Sequence, residues 1–393
     1  MVTAVYAGRF RSTKLKMETT PEFISKKTWN KVLNYIALSD EMPPYLLMDR
    51  DVVTEKVSQI GKGIRNSKTF YAVKANPDRE VLKLISSLGT GFEIASEGEL
   101  QILASLGVGP DRIITSNPVK TFKFLGQAVD YGVRYFAFDS IVEADKLARY
   151  APGCNVYVRL SVPNEGSEWP LSKKFGVEMD EAAELLAYAK EKGLNPVGIT
   201  FHVGSQCNNV YNWNTAVDKA WALWETVGQS GIKLSLLNIG GGYPIRYTKS
   251  VVDIKTIEKK VDKAIYQKFP NDIEVIIEPG RAVVGDAGVF VSTVIGKTRR
   301  GDENWLHIDV GVFNGLMESI GGIKYTYVVG SRNDEKKWTI AGPSCDSFDV
   351  IDRDVELPEP EIGNRVLVLS SGAYTISYAS EFNGFSIPKT ILI

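Results

Sequence analysis

Cysteine and histidine are scarce in this chain: Cys154, Cys207 and Cys345, with His202 and His307, are all that 393 residues contain. Three scattered cysteines cannot staple a small secreted fold and suit a reducing cytoplasm. Without clustered Cys and His ligands, no metal site is expected. Long apolar runs are also missing, so no membrane span is expected, and residues 1–16 lack the apolar core of a signal peptide. Excess charge is absent too. Forty-six basic and 47 acidic residues leave a net charge of −1, which argues against nucleic acid or a membrane surface as partner. What is present is an ordinary globular composition, 44% hydrophobic and 24% charged, long enough for two domains.

From Pro44 onward the chain alternates short apolar strands with amphipathic helices. The first strand is expected at 44–49 and a helix at 51–61. Further strands follow at 70–73, 91–95, 112–115, 135–139, 156–160, 196–202, 236–240 and 274–278. Helices are expected between them near 78–88, 97–106, 120–131, 141–149, 180–192, 211–229 and 253–268. Counted from the strand that ends at Lys74, the strand number is that of a (β/α)8 TIM-type barrel, which usually takes ~250 residues. A doubly wound open sheet is the alternative. Beyond residue 280 helices give way to strands near 287–297, 305–310, 338–340, 365–369 and 390–393, which reads as a mainly-β domain. The expected division is therefore a barrel over 44–280 and a β domain over 281–393, joined by the segment 1–43. Residues 1–20 are basic and polar and read as an arm.

Groups that do chemistry in a barrel gather at the C-terminal ends of its strands. Here Lys74, Glu93, Asn117, Arg159, His202, Gly240 and Glu278 each end or follow one. Lys74 closes Phe70-Tyr71-Ala72-Val73 and is followed by Asn76-Pro77, which ends regular structure. An amine there can form an imine with an aldehyde cofactor, or it can simply snorkel to solvent. Gly240-Gly241-Gly242 lets backbone amides approach an anion, though a flexible turn is the plainer reading. Glu278-Pro279-Gly280-Arg281 sets a carboxylate and a guanidinium where they can serve opposite ends of one ligand, a pyridine nitrogen and a phosphate. A surface ion pair is the alternative there. His202 could pack structurally or lie on a planar cofactor. Cys345 and Asp346 fall in Gly342-Pro343-Ser344-Cys345-Asp346, a turn late in the chain, where a buried, inert thiol is the default reading.

Six motifs occur in order: Tyr71-Ala72-Val73-Lys74-Ala75-Asn76, Phe201-His202-Val203-Gly204-Ser205, Ile239-Gly240-Gly241-Gly242-Tyr243-Pro244, Glu278-Pro279-Gly280-Arg281, Gly342-Pro343-Ser344-Cys345-Asp346 and Phe382-Asn383-Gly384-Phe385. Together they resemble the pyridoxal-phosphate-dependent ornithine/lysine decarboxylase family, of alanine-racemase-like fold and the eukaryotic ornithine decarboxylase group. The resemblance runs from about Pro44 to the C-terminus.

That resemblance implies roles. Lys74 would hold the cofactor pyridoxal 5'-phosphate covalently, His202 would stack on its ring, and Glu278 would keep the ring nitrogen protonated. Ser205, Gly240, Gly241, Gly242, Arg281 and Tyr374 would bind the phosphate, with Glu93 and Arg159 beside the ring. A glutamate at 278 favours decarboxylation over racemisation, since the related racemases place an arginine there. Cys345 would return a proton to the α-carbon. Asp346, Glu318 and Phe382 would meet the substrate. The family assembles as a homodimer with shared active sites, in which Lys174 pairs with the partner's Asp349.

A basic amino acid, ornithine or lysine, is the expected substrate. Where the family carries an acidic residue about a dozen positions after Asp309-Val310-Gly311, this chain has Gly321-Gly322, which implies a roomier distal pocket. Arginine, diaminopimelate and a secondary-metabolism substrate are the other enzyme readings. An inactive pyridoxal-phosphate-binding regulator is the non-enzyme reading, against which stand the retained Lys74, Glu278, Arg281, Cys345 and Tyr374.

Overall fold

The computed structural model describes residues 20–169, 174–330 and 334–393; the expected arm therefore lies almost wholly outside the described residues. The chain divides into two compact units. One comprises Thr54–Ile245 and Val251–Val283, and the other takes the described residues up to Val53 with Arg246–Ser250 and Val284–Ile393.

The first unit is the barrel. Its strands run Ile113–Ile114, Gly91–Glu93, Ser67–Ala72, Glu274–Ile277, Leu236–Asn238, Asn195–Thr200, Asn155–Arg159 and Tyr135–Phe138 in hydrogen-bonded order, and every neighbouring pair is parallel. A parallel bridge between Thr115 and Phe136 joins the two ends of that order. There Thr115 N donates to Tyr135 O at 3.0 Å and Ala137 N to Thr115 O at 2.8 Å. An open sheet would keep two edges, so this bridge decides for the closed barrel over the doubly wound alternative. Phe70, Ile114, Ala137, Tyr157, Leu236 and Ile276 pack together inside it.

Side-chain caps fix where the helices leave the barrel mouth. Asp78, Ser96, Thr121 and Ser140 each accept from a backbone N–H in the first turn of the following helix. Each cap satisfies amides that the helix itself cannot. Each also sets the length of the loop between a strand end and its helix, and those loops carry the polar residues of the mouth.

The second unit is built on one mixed sheet. Its main path is Tyr327–Val329, Arg365–Leu369, Gly288–Arg300, Glu303–Ile308, Glu335–Ala341 and Val350–Pro358. The expected strands are all there, and Tyr327–Val329 and Val350–Pro358 are additions. The second of these is hard to read from sequence, because Asp352, Arg353, Asp354 and Glu356 interrupt its apolar residues.

The first strand of the chain corrects the expected boundary. Tyr45–Met48, assigned above to the barrel, pairs antiparallel with Gly288–Arg300 and parallel with Lys389–Leu392. All four of its residues are buried and apolar, so its pattern marks a buried strand without saying which sheet takes it. A helix at Lys26–Leu38, not anticipated above, lays Trp29, Val32 and Ile36 against Tyr45, Leu47, Val289, Val291, Leu367 and Leu369. The described residues before Pro44 belong to the β unit. Among the described residues no helix is long and apolar enough to cross a membrane.

Candidate active site

The polar residues at the C-terminal ends of the barrel strands converge. Lys74 sits in the one-turn helix Val73–Ala75 that closes its strand. Its ammonium lies 3.4 Å from Glu93 Oε2, the lysine half exposed and the glutamate buried. Glu278 ends the Glu274–Ile277 strand and is 8% exposed. Its Oε1 accepts from Asn238 Nδ2 at 2.6 Å and from the Ser116 hydroxyl. Ser116 also meets the Tyr157 hydroxyl at 2.8 Å, and that hydroxyl donates to Thr115 O at 3.0 Å.

Burial pushes the Glu278 carboxyl up to about 7, and the negative charge of Glu93 adds to the shift. The donors on Oε1 and the ammonium of Lys74 pull the other way. The carboxyl is thus poised to gain or lose a proton near neutrality, and a cationic partner would tip it to the ionised form.

His202 is held well below its ordinary value by burial, then by the positive charges of Arg159 and Lys74. Gly204 N donates to its Nδ1 at 3.0 Å, which assigns the proton of the neutral ring to Nε2. The imidazole therefore offers an uncharged aromatic face. A Cβ at Gly240 would lie 2.4 Å from Phe201 O, and one at Gly241 would lie 2.5 Å from Glu278 O. Gly240 and Gly242 also have φ of +64° and +98°, so glycine is required by both space and conformation. Next to this turn, Arg281 is 3% exposed and donates to Ser205 Oγ at 3.0 Å.

Residues 50–285 match the family model described as pyridoxal-dependent decarboxylase, pyridoxal binding domain. The chain belongs to that family. It is 39% identical over 352 residues to a lysine/ornithine decarboxylase of Selenomonas ruminantium, covering 89% of each chain. It is also 32% identical over 388 residues to rat (Rattus norvegicus) ornithine decarboxylase, covering 93% of this chain and 84% of that one. Among solved structures, the Selenomonas ruminantium lysine decarboxylase in complex with pyridoxal phosphate and cadaverine superposes with a TM-score of 0.86 at 36% identity, over 96% of this chain and 95% of that one.

As a pyridoxal-dependent decarboxylase this chain uses pyridoxal phosphate, and its donor set fits that cofactor. A close glycine turn, a buried guanidinium and a hydroxyl can take a phosphate. A buried carboxyl that titrates near neutrality can hold a protonated pyridine nitrogen, and a strand-end amine can take the aldehyde. Arg159 lies in the same mouth. Burial lowers its pKa, opposed by the charges of Glu278, Asp139 and Glu93, and its guanidinium stands 5.3 Å from the Phe175 ring centroid.

The remaining expected residues belong to the β unit, except Lys174, which lies in the barrel unit. Cys345 is exposed, not buried, and its N and Sγ lie 3.1 and 3.3 Å from Asn383 Oδ1. Asn383 follows Phe382, whose ring centroid is 4.5 Å from that of Phe313. Asp346 is exposed and accepts from Phe348 N at 2.8 Å. Glu318 is 3% exposed. Tyr374 has a φ of +55° and its ring lies 6.2 Å from that of Tyr378. Asp349 is 3% exposed and accepts from Val312 N at 2.7 Å and Ser344 N at 3.0 Å. That carboxylate shapes its own loop, a job the sequence reading did not foresee. Lys174 is exposed, its ammonium 4.9 Å from the Phe175 ring centroid. Gly321 and Gly322 form an exposed turn, and the φ of +100° at Gly322 would strain any side chain placed there.

Sequence reasoning missed Ser116, Asn238 and Tyr157, which hold Glu278, and Glu99. Burial lifts the Glu99 carboxyl to about 7, with the charge of Glu93 adding to the shift. Ser116 and Asn238 follow the same strand-end rule that found Glu278. Asn117 was picked out in place of Ser116, and its side chain is spent on Val119 O at 2.8 Å.

The raised carboxyl of Glu278 makes a pH prediction for the cofactor-free protein. Between the ordinary 4.5 and about 7, the unfolded chain releases this proton while the folded one keeps it. Stability contributed by the protonated group is therefore full below 4.5 and falls as pH rises to about 7. Glu278→Gln removes that dependence. Urea unfolding across this range should give a smaller loss with rising pH in the variant, and equal slopes would contradict the assignment.

Proposed function

We propose that this enzyme decarboxylates a basic L-amino acid, lysine or ornithine, to the corresponding diamine. The observation that carries the reaction class is Glu278, a buried carboxyl held by Ser116 and Asn238 at the end of its strand. The cofactor, when bound, supplies an electron sink for the pair left behind by carbon dioxide. Glu278 keeps the ring nitrogen protonated. Lys74 holds the aldehyde carbon, and neutral His202 lies against the ring. Arg281, Ser205, the Gly240–Gly242 turn and Tyr374 take the phosphate, with Glu93 and Arg159 at the ring's edge. Cys345 delivers a proton to the substrate's α-carbon. Asp346, with Glu318 and Phe382, recognises the substrate, an acidic residue there favouring a cationic side chain.

The relatives support this substrate class. Beside the lysine and ornithine enzymes stands the arginine decarboxylase of Paramecium bursaria Chlorella virus, solved bound to agmatine. It superposes with a TM-score of 0.87 at 29% identity, over 93% of this chain and all of that one. Carbon dioxide release with lysine, ornithine, arginine and diaminopimelate should show lysine and ornithine preferred. Diaminopimelate should trail in kcat/KM by the several kcal/mol, on the order of a hundredfold or more, that setting its distal carboxylate against an acidic residue costs. Arginine leading the panel would overturn the substrate assignment.

The working form is a homodimer with shared sites, in which Cys345 serves the partner's Lys74 and Lys174 meets the partner's Asp349. This has a direct test. Lys74→Ala and Cys345→Ala, each inactive alone, are mixed and allowed to exchange subunits. Random pairing makes half the dimers mixed, each with one intact site, so activity should return to about a quarter of wild type. No recovery, with exchange shown by mass, would mean that lysine and cysteine meet within one chain.

A further inference from the structure

The loop between the Ile113–Ile114 strand and the Phe122–Tyr131 helix folds around a lysine. The Lys120 side chain is 0% exposed, a state lysine almost never reaches unless paired. Its Nζ donates to Asn117 O and Pro118 O at 3.1 Å each and to Ala137 O at 2.5 Å. Glu143 Oε1 lies 3.0 Å from the same nitrogen and also accepts from Lys120 N at 3.3 Å. Lys146 completes the cluster. It lies 2.5 Å from Glu143 Oε2 and donates to Lys120 O at 2.5 Å. Burial pulls the Lys120 ammonium down to about 8, with Glu143 opposing, so it stays charged at neutral pH.

The placement of this cluster matters more than its stability. Ser116 stands between two anchors. On one side Thr115 is fixed by its bridge to Phe136, and on the other the carbonyls of residues 117 and 118 are gathered onto the buried ammonium. Both anchors engage the Tyr135–Phe138 strand, through Tyr135 O, Ala137 N and Ala137 O. The Ser116 hydroxyl is then aimed at Glu278 Oε1.

We infer that Lys120 is a positioning residue for the reaction, setting Ser116 so that its hydroxyl stays on Glu278. The inference rests on the reading of Glu278 as the partner of the ring nitrogen. A donor on a carboxylate lowers its basicity. With Ser116 displaced, Glu278 becomes more basic and draws the proton away from the nitrogen it faces. Lys120 would thus act on the ring through two intervening residues.

The test uses the holoenzyme loaded with pyridoxal phosphate carrying a 15N label in its ring, whose chemical shift reports protonation of that nitrogen. Ser116→Ala and Lys120→Met should both move the resonance toward the value of unprotonated pyridine. The double variant should move it no further than Ser116→Ala alone. Steady-state kinetics should show kcat reduced by roughly fivefold, the size of one lost hydrogen bond, with KM unchanged. Should Lys120→Met not fold, Glu143→Gln keeps the lysine but removes its counter-charge, and should give a smaller shift of the same sign. A melting temperature lowered in these variants with the wild-type resonance retained would reduce Lys120 to a structural anchor and overturn the proposal. Glu278→Gln separates the two readings. If it leaves the resonance unmoved, Glu278 does not face the nitrogen and both ideas fall. If it moves the resonance and the Lys120 and Glu143 variants do not, only the positioning role is lost.

Discussion

A carboxyl out of water at a barrel mouth is the constraint on which this site depends. Glu278 is 8% exposed and faces a second buried acid, Glu93, so both burial and charge oppose its ionisation. Left alone it would be neutral, with little to offer a protonated nitrogen. The barrel answers with donors from other strands: Ser116, with Tyr157 behind it, and Asn238. These bonds stabilise the ionised form without excluding the neutral one. The strand register is what places them, since Asn238 ends one strand and Ser116 follows another.

The other groups at the mouth are arranged around that carboxyl. Burial, then the positive charges of Arg159 and Lys74, keep His202 neutral, and the Lys74 charge partly offsets the rise of the Glu278 carboxyl that burial causes. A neutral imidazole can lie against a cationic ring without repulsion. The glycine turn passes close over Glu278 O and the histidine, leaving room only for backbone. If the phosphate is held at Arg281 and Ser205 as proposed, its binding energy can go into orienting the ring.

Much of this was legible in the sequence. Short apolar strands buried on both faces alternate with capped amphipathic helices, a pattern that has few other solutions. The strand-end rule picked out Lys74, Glu93, His202 and Glu278 because each is a polar residue that closes an apolar run. It missed Ser116 and Asn238, which are small, neutral and common in turns, so nothing in their chemistry marks them until the carboxyl they serve is seen. Tyr45–Met48 was misplaced for a different reason. An unbroken apolar tetrapeptide declares burial but carries no information on its sheet, which long-range pairing with Gly288–Arg300 decides. The helix at Lys26–Leu38 does carry a stripe, Trp29, Val32, Leu33 and Ile36 at i, i+3, i+4 and i+7, so its period was present in the sequence and was passed over.

The measurement that bears most directly on this account is the kinetic effect of Glu278→Ala. If the carboxyl works by holding charge on the ring nitrogen, its contribution is felt mainly in the transition state. The variant should then lose kcat by orders of magnitude, on the scale of a missing electrostatic group, while KM for lysine or ornithine changes little. A KM that rises while kcat holds would show that Glu278 binds substrate instead, and the account built on it would be wrong.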